Sequence, residues 1–435
     1  MKKLYLSASI AALLAAGSVQ ATEVYNKDGN TVDVGGYISL QALSMPTLTD
    51  EQKKTVKPMG FGDNGSRFNL GFGHDLGNGW KSMGKIEYAF NGTGEKFTSA
   101  TGAIDSDNDQ FTNRLAYLAF GHGTYGTVYV GKTWSTFSDV ASVTETGAVY
   151  APVWGMYGLG DGSWEGTGRA KNVLQYRVTI PAANNMRLGL QYQPVAQGEY
   201  AEEEFISKFG GGFGLSLVVP VMPELEVGVA YQMSAFEYKK TSGINPTEDY
   251  DKGANAMAVS VKYGSFEAPG FHMGLTYSLG ENLGKLPTGL AVTDKGVVGT
   301  NDGALLSAPK SNQIAVVGSF NVNKFVPFVG YYMTTFESEA GIRDIIISGT
   351  AISTGASTTS TMVEKATSNS LVVGAHYLWS DNFSIFAEYS MDMSSEITTK
   401  ADEAVAAAVL TDDGKKHYET TNSPHGFTMG FKFVF

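Results

Sequence analysis

The sequence predicts an all-β fold, a transmembrane antiparallel β-barrel of about sixteen strands. Three observations carry this expectation. Short segments along most of the chain alternate strictly between apolar and polar residues, as strands do with lipid on one face and water on the other. The connections between these segments alternate between short and long. Beyond the first residues, no apolar run approaches the roughly 20 residues that a membrane helix needs. A chain of this kind in a bilayer must close into a barrel, because only closure satisfies every backbone hydrogen bond in lipid.

Composition agrees. The chain has 53 glycines, 24 phenylalanines and 22 tyrosines but only 13 prolines. Aromatics girdle the two interfaces of a membrane barrel, and glycine eases turns and close strand approach. There is no cysteine, which excludes a disulfide framework, thiolate chemistry and Cys-based metal sites. Lysine plus arginine number 31 against 43 acidic residues, a net charge of −12. Such an acidic chain is a poor binder of nucleic acid, and none is expected as a partner. Residues 1–21 read as an export signal: Lys2 and Lys3, an apolar run from Leu4 to Ala16, then Val19-Gln20-Ala21 with cleavage near Ala21. Residues 22–435 are then a single barrel domain.

The strands come in order along the chain. Val32, Val34, Ile38 and Leu40 alternate with Thr31, Asp33, Tyr37, Ser39 and Gln41. Phe68, Leu70 and Phe72 alternate with Arg67 and Asn69, and after the Gly77-Asn78-Gly79 turn Ile86, Tyr88 and Phe90 alternate with Lys85 and Glu87. Leu115 and Tyr117 are read as the membrane face opposite Arg114, and Val128 and Val130 come after a turn at 123–126. Leu174, Tyr176 and Val178 oppose Lys171, Gln175 and Arg177; Leu188, Leu190 and Tyr192 oppose Arg187 and Gln191. Leu215 and Leu217 lead to a Pro220–Pro223 turn and to Val227, Val229 and Tyr231. Val259 and Val261, Leu275 and Tyr277, Ile314 and Val316, and Val329 and Tyr331 mark the next four strands. Val373 and Tyr377, then Ile385 and Tyr389, and finally Phe427, Met429, Phe431, Phe433 and Phe435 complete the set. Short connections fall near 77, 123, 182, 221, 267, 322 and 381; long ones cover roughly 43–65, 91–110, 135–168, 195–209, 235–253, 281–310, 337–367 and 395–424. An even strand number puts both chain ends on the short-turn, periplasmic side. A soluble propeller or sandwich would bury apolar residues on both faces of many strands. Here the second face stays polar, as a water-filled lumen requires.

The stretch 134–169 differs from its neighbours. It carries Trp134, Trp154 and Trp164, three of the five tryptophans, and Asp139, Glu145, Asp161 and Glu165, with Arg169 its only basic residue. A connection of this length is out of place in a compact soluble domain. It fits inside a wide barrel, folded into the lumen as a constriction.

At several points the chain resembles the Gram-negative general porins. Glu23 to Asn30 (Glu-Val-Tyr-Asn-Lys-Asp-Gly-Asn) is similar to their mature start. Arg114-Leu115-Ala116-Tyr117 through Tyr125-Gly126-Thr127-Val128-Tyr129-Val130-Gly131-Lys132 resembles their strand–turn–strand before the constriction loop. Gly430-Phe431-Lys432-Phe433-Val434-Phe435 resembles their terminal assembly signal, ending at Phe435. The resemblance implies sixteen strands, a homotrimer, multi-pass residence in the outer membrane, and handling by periplasmic chaperones and the barrel-assembly machinery. It implies a wall of arginines, matched here by Arg67, Arg114 and Arg169, facing carboxylates on the inward loop. Two positions depart from the family: Tyr37 stands where a lysine is common, and Val153 where the loop often has a glutamate. Asp139, Glu145, Asp161 or Glu165 must then supply the opposing charge. Lys85 and Arg177 add positive charge to the lumen wall, and opposed rows of fixed charge set ion selectivity.

The expected function is a passive diffusion pore for ions and small hydrophilic solutes. The alternative is an oligosaccharide-selective pore in which Trp134, Trp154, Trp164 and Tyr37 stack sugar rings. No catalytic residues are expected: there is no nucleophile elbow, no His-Glu-x-x-His and no phosphate-binding glycine loop. No cofactor is expected beyond loop-bound Ca²⁺ or Mg²⁺ bridging lipopolysaccharide, suggested by the carboxylate runs at 105–109, 202–204 and 412–413.

Overall fold

A computed structural model of the protein describes residues 21–44, 59–93, 96–97, 104–105, 111–147, 166–202, 205–240, 250–283, 290–292, 308–337, 345–347, 361–393, 397–401, 415–418 and 426–435. Sixteen antiparallel strands form one sheet that closes on itself. They are β1 Asn30–Ser44, β2 Arg67–Gly77 (entered through Met59–Asp63), β3 Trp80–Phe90, β4 Phe111–His122, β5 Gly126–Trp134, β6 Arg169–Ile180, β7 Met186–Gln193 (prolonged by Ala196–Glu202) and β8 Phe205–Met222. The second half is β9 Leu225–Lys240, β10 Tyr250–Tyr263, β11 Gly270–Leu283, β12 Ala308–Asn321, β13 Phe325–Glu337, β14 Thr361–Ser380, β15 Phe383–Asp392 and β16 Gly426–Val434.

Each strand pairs with the next, and β16 pairs with β1 from Tyr37↔Val434 to Ser44↔Phe427. A further strand, Thr22–Lys27, folds back on the start of β1. Gly36 and Phe435 seal the seam by exchanging two backbone hydrogen bonds of 3.0 Å each. A side chain at Gly36 would run into the Arg67 carbonyl and the Phe435 ring, so the closure requires glycine there. Several short turns use asparagine with positive φ, at Asn78, Asn184, Asn185 and Asn323, the residue besides glycine that best tolerates this conformation.

The two faces separate as the alternation predicts. On β9, Val229, Tyr231 and Met233 point outward and are exposed, while Ala230, Gln232 and Ser234 between them are buried inside the barrel. Two expectations need correction. Leu115 and Tyr117 do not face the membrane: Leu115 is 4 % exposed, whereas its neighbour Leu118 is 71 % exposed. The cause is a bulge where β3 meets β4, with the register shifting between Glu87 and Tyr88 opposite Leu115 and Asn113. The extra residue, Arg114, reverses the facing of the residues after it while keeping its own side chain in the lumen. The connection expected at 195–209 is instead a prolonged hairpin, Ala196–Glu202 pairing with the start of β8.

Candidate functional site

The lumen is organised by the segment leaving β5. Ser135 begins it, its N–H donating to the Gly168 carbonyl at 2.8 Å and its Oγ to the Thr167 carbonyl at 2.7 Å, which draws the two ends of the stretch together. One helical turn comes next, α1 Ser138–Ala141. Phe137, Val140 and Ala141 pack into a buried cluster with Val218, Ala230, Ala254, Ala256 and Ala258. All five partners belong to the inward face of β8, β9 and β10, so residues 135–141 lie inside the barrel against its wall. Phe137 and Val140 are fully buried. Each contributes about 1.5–3 kcal/mol of apolar burial to holding the segment there.

Polar contacts fix the same segment. Arg177 on β6 donates through Nη1 to both Asp139 oxygens, at 2.6 and 2.5 Å, and through Nη2 to the Trp134 and Ser135 carbonyls at 3.0 and 3.1 Å. The Ser216 hydroxyl donates to Asp139 Oδ2 at 2.9 Å. A row of buried glutamines runs beneath: Gln175 Nε2 donates to Gln191 Oε1 at 2.7 Å and to the Trp134 carbonyl at 2.9 Å, and Gln191 Nε2 donates to the Gly166 carbonyl at 3.2 Å. The row thus grips both ends of the 134–169 stretch. Further along, the Tyr332 hydroxyl on β13 donates to the Thr144 carbonyl at 3.3 Å. The segment therefore tracks the inner wall from β6 to β13.

On β2, β3 and β4, basic side chains gather around Glu87, which is buried on β3. Arg114 Nε lies 2.8 Å from Glu87 Oε1, Arg67 Nη1 3.7 Å from the same oxygen, and Lys85 Nζ 3.8 Å from Oε2. Arg67 stacks over the Tyr37 ring at 4.5 Å. Lys432, reaching in from β16, stands over the same ring at 4.4 Å. The first-strand position that holds tyrosine is thus served by a lysine from the last strand, and the aromatic face stabilises both cations. Arg169 is close enough to Arg114 for their charges to interact, and its guanidinium lies 5.9 Å from the Trp134 ring.

The sequence-predicted residues divide accordingly. Arg67, Arg114, Arg169 and Lys85 come together on one wall. Arg177 stands apart from them, holding Asp139. Glu145 is exposed on the inward segment. Trp134 packs against the cluster formed by Phe137 and its partners. Asp161, Glu165, Trp154 and Trp164 lie outside the described residues, as do the side chains of the carboxylate runs at 105–109, 202–204 and 412–413. The parity that Arg169 shares with Gln175 and Arg177 in the sequence is broken by a bulge at Asn172 (φ 50), which leaves Ala170 and Val173, on either side of it, both buried. Sequence reasoning missed Lys432 as a member of the wall and Glu87 as its centre. Their only signal was a place on the polar face of their strands. Among the described residues, no three His, Asp or Glu side chains gather as a metal site requires.

Comparison with known proteins gives one consistent picture. A profile described as Gram-negative porin matches residues 8–408. Outer membrane porin N of Escherichia coli K12 is 24 % identical over 425 residues, covering 95 % of this chain and 97 % of its own length. Outer membrane porin protein OmpD of Salmonella typhimurium LT2 is 26 % identical over 286 residues, covering 64 % and 69 %. Among solved structures, Salmonella typhi OmpF in complex with daunomycin aligns with a TM-score of 0.59 at 17 % identity, covering 95 % of this chain and all of that one. The trimer form of OmpT from Vibrio cholerae aligns with a TM-score of 0.52 at 15 % identity, covering 94 % and 100 %.

Proposed function

This chain belongs to the Gram-negative porin family, and on that premise we propose that Arg67, Lys85, Arg114, Arg169 and Lys432 form the charged wall of its diffusion path. The barrel sits in the outer membrane and passes ions and small hydrophilic solutes passively. The observation that carries the reading of the path is the inward course of residues 135–147, held to the wall by Arg177–Asp139 and by Phe137 and Val140. Beyond this segment the path runs past the Glu87-centred cations. A solute crossing there moves through a transverse field in a gap with low-dielectric walls. Asp161, Glu165 and the exposed Glu145 supply the opposing charge.

The assembly is a homotrimer that performs no catalysis. Its long connections bind divalent cations together with lipopolysaccharide, and Phe435 is read by the barrel-assembly machinery after passage with periplasmic chaperones. The oligosaccharide reading gains nothing from Trp134, whose ring is tucked against the Phe137 cluster.

Single-channel recording in a planar bilayer tests the whole reading. Purified protein is expected to give stepwise conductance in threes, unaffected by added oligosaccharide. Absence of conductance would overturn the pore, and reversible block by a sugar would revive the selective alternative.

A further inference from the structure

A second segment enters the lumen, from the opposite end. The turn joining β10 to β11, residues 264–269, is one of the short periplasmic connections, yet it does not stay at the rim. Phe266 packs against the buried cluster of Ala315, Val317, Phe328, Tyr332 and Val372. Its ring meets His272 on β11 edge-on at 6.1 Å, Phe328 on β13 at 6.1 Å and His376 on β14 at 5.1 Å. All three partners are inward residues, because Phe271, Val329 and Tyr377 beside them are the exposed ones. Phe266 is therefore inside the barrel, lying along the wall from β11 to β14.

The backbone is built for this course. Gly264 (φ 69) and Gly270 (φ 108) take conformations that favour glycine at the two ends of the turn. Between them, Ala268 N–H donates to the Ser265 carbonyl at 3.2 Å, closing a tight turn. Asn321 Nδ2 donates to the Glu267 carbonyl at 2.7 Å, tying the turn to the end of β12. These contacts leave the Glu267 side chain exposed.

We propose that residues 264–270 form a second, outlet-side constriction of the pore, anchored by Phe266 and presenting the exposed Glu267 carboxylate to the path. A solute moving inward first passes the cationic wall and then a carboxylate on a shelf of different origin. The two charges in series make the path asymmetric, so the pore discriminates among ions at its periplasmic outlet as well as at the cationic wall. This rests on the reading of the chain as a diffusion pore.

The chain has no cysteine, so Glu267→Cys introduces a single thiol into the full-length protein. Charged methanethiosulfonates are added to the periplasmic side of a conducting bilayer. The current is expected to fall in discrete steps as each pore reacts. The anionic and cationic reagents should move the anion-to-cation permeability ratio in opposite directions, each by about two-fold, as one unit charge within a Debye length of a permeating ion does in water. Phe266→Ala, which removes the anchor and keeps the carboxylate, should raise open-channel noise and conductance. The proposal is overturned if the thiol reacts, as mass measurement would establish, without change in current or permeability ratio. It is also overturned if no aqueous reagent reaches the thiol. A wild-type protein that conducts while both variants match it overturns this proposal alone; a silent wild type overturns the pore reading and the proposal together.

Discussion

Replacing Asp139 by asparagine should loosen the inward segment by an amount the structure allows to be worked out. The carboxylate takes two contacts from Arg177, at 2.6 and 2.5 Å, and one from Ser216 at 2.9 Å. Removing one partner of a buried pair costs about 3–5 kcal/mol, whereas exposed pairs are worth about 0.2–1 kcal/mol. The two side chains here are 18 % and 26 % exposed, which places the loss between these limits, at about 2 kcal/mol. Arg177 keeps its bonds to the Trp134 and Ser135 carbonyls, so the segment stays docked most of the time. A loss of about 2 kcal/mol raises the open population about 30-fold. Ala141→Cys reports that population, because residue 141 is 4 % exposed and the thiol is the chain's only one. Labelling tracks the open fraction when reclosing outruns reaction. The expected result is labelling about 30-fold faster in Ala141→Cys/Asp139→Asn than in Ala141→Cys alone, with the ratio derived from the same 2 kcal/mol. A ratio below about two-fold would mean that the pair does not hold the segment, and the apolar contacts of Phe137 and Val140 carry it by themselves.

Three further outcomes are expected. Glu87→Gln leaves Arg67, Lys85 and Arg114 without the carboxylate they surround, so the anion-to-cation permeability ratio read from reversal potentials should rise about two- to five-fold. Phe137→Ala empties a fully buried site and should cost about 3–5 kcal/mol of local stability, read as noisier open-channel current and faster labelling of Ala141→Cys. Gly36→Val pushes a side chain into the Arg67 carbonyl and the Phe435 ring, so the fraction folded on detergent refolding should drop sharply while Ile38→Val, on the exposed face of the same strand, refolds as wild type.

The barrel was legible because a two-residue period survives without knowledge of which strands pair. Inward Asn69, Gln175, Gln191 and Gln232, and outward Val229 and Tyr231, obey it directly. It failed where a residue was added to the count. At Arg114 the bulge turns Leu115 and Tyr117 into the lumen, and apolar residues on a wet face look like membrane residues to any periodic reading. The site was half legible for a related reason. The arginines show as cations on polar faces, but the central place of Glu87 depends on cross-strand register. The presence of Lys432 beside Tyr37 depends on ring closure between residues nearly 400 apart along the chain. Arg177 looks like any other wall cation until Asp139 is set against it.

Exceptions within the polar phase carry a signal of their own. A lumen wall bathed by water has no reason to carry Ala230, Ala254, Ala256 and Ala258 together, nor Ala315, Val317 and Val372 in a second patch, yet all of these are inward and almost fully buried. Apolar residues on that face gain only if something apolar covers them. The first patch is covered by Phe137 and Val140, the second by Phe266. Small side chains on the wet face of β8–β10 and β12–β14 are thus the imprint of segments that fold inward, one from each end of the barrel. The imprint also sets direction: small residues let the backbone of the covering segment approach closely, as Gly274 does beneath the Val143 carbonyl. Enlarging one of them should expel its cover before it disturbs the barrel. Ala256→Leu is therefore expected to raise conductance and expose Ala141→Cys to labelling while the folded fraction stays unchanged. Loss of the folded barrel in that variant would show that the patch serves the wall and not the segment lying on it.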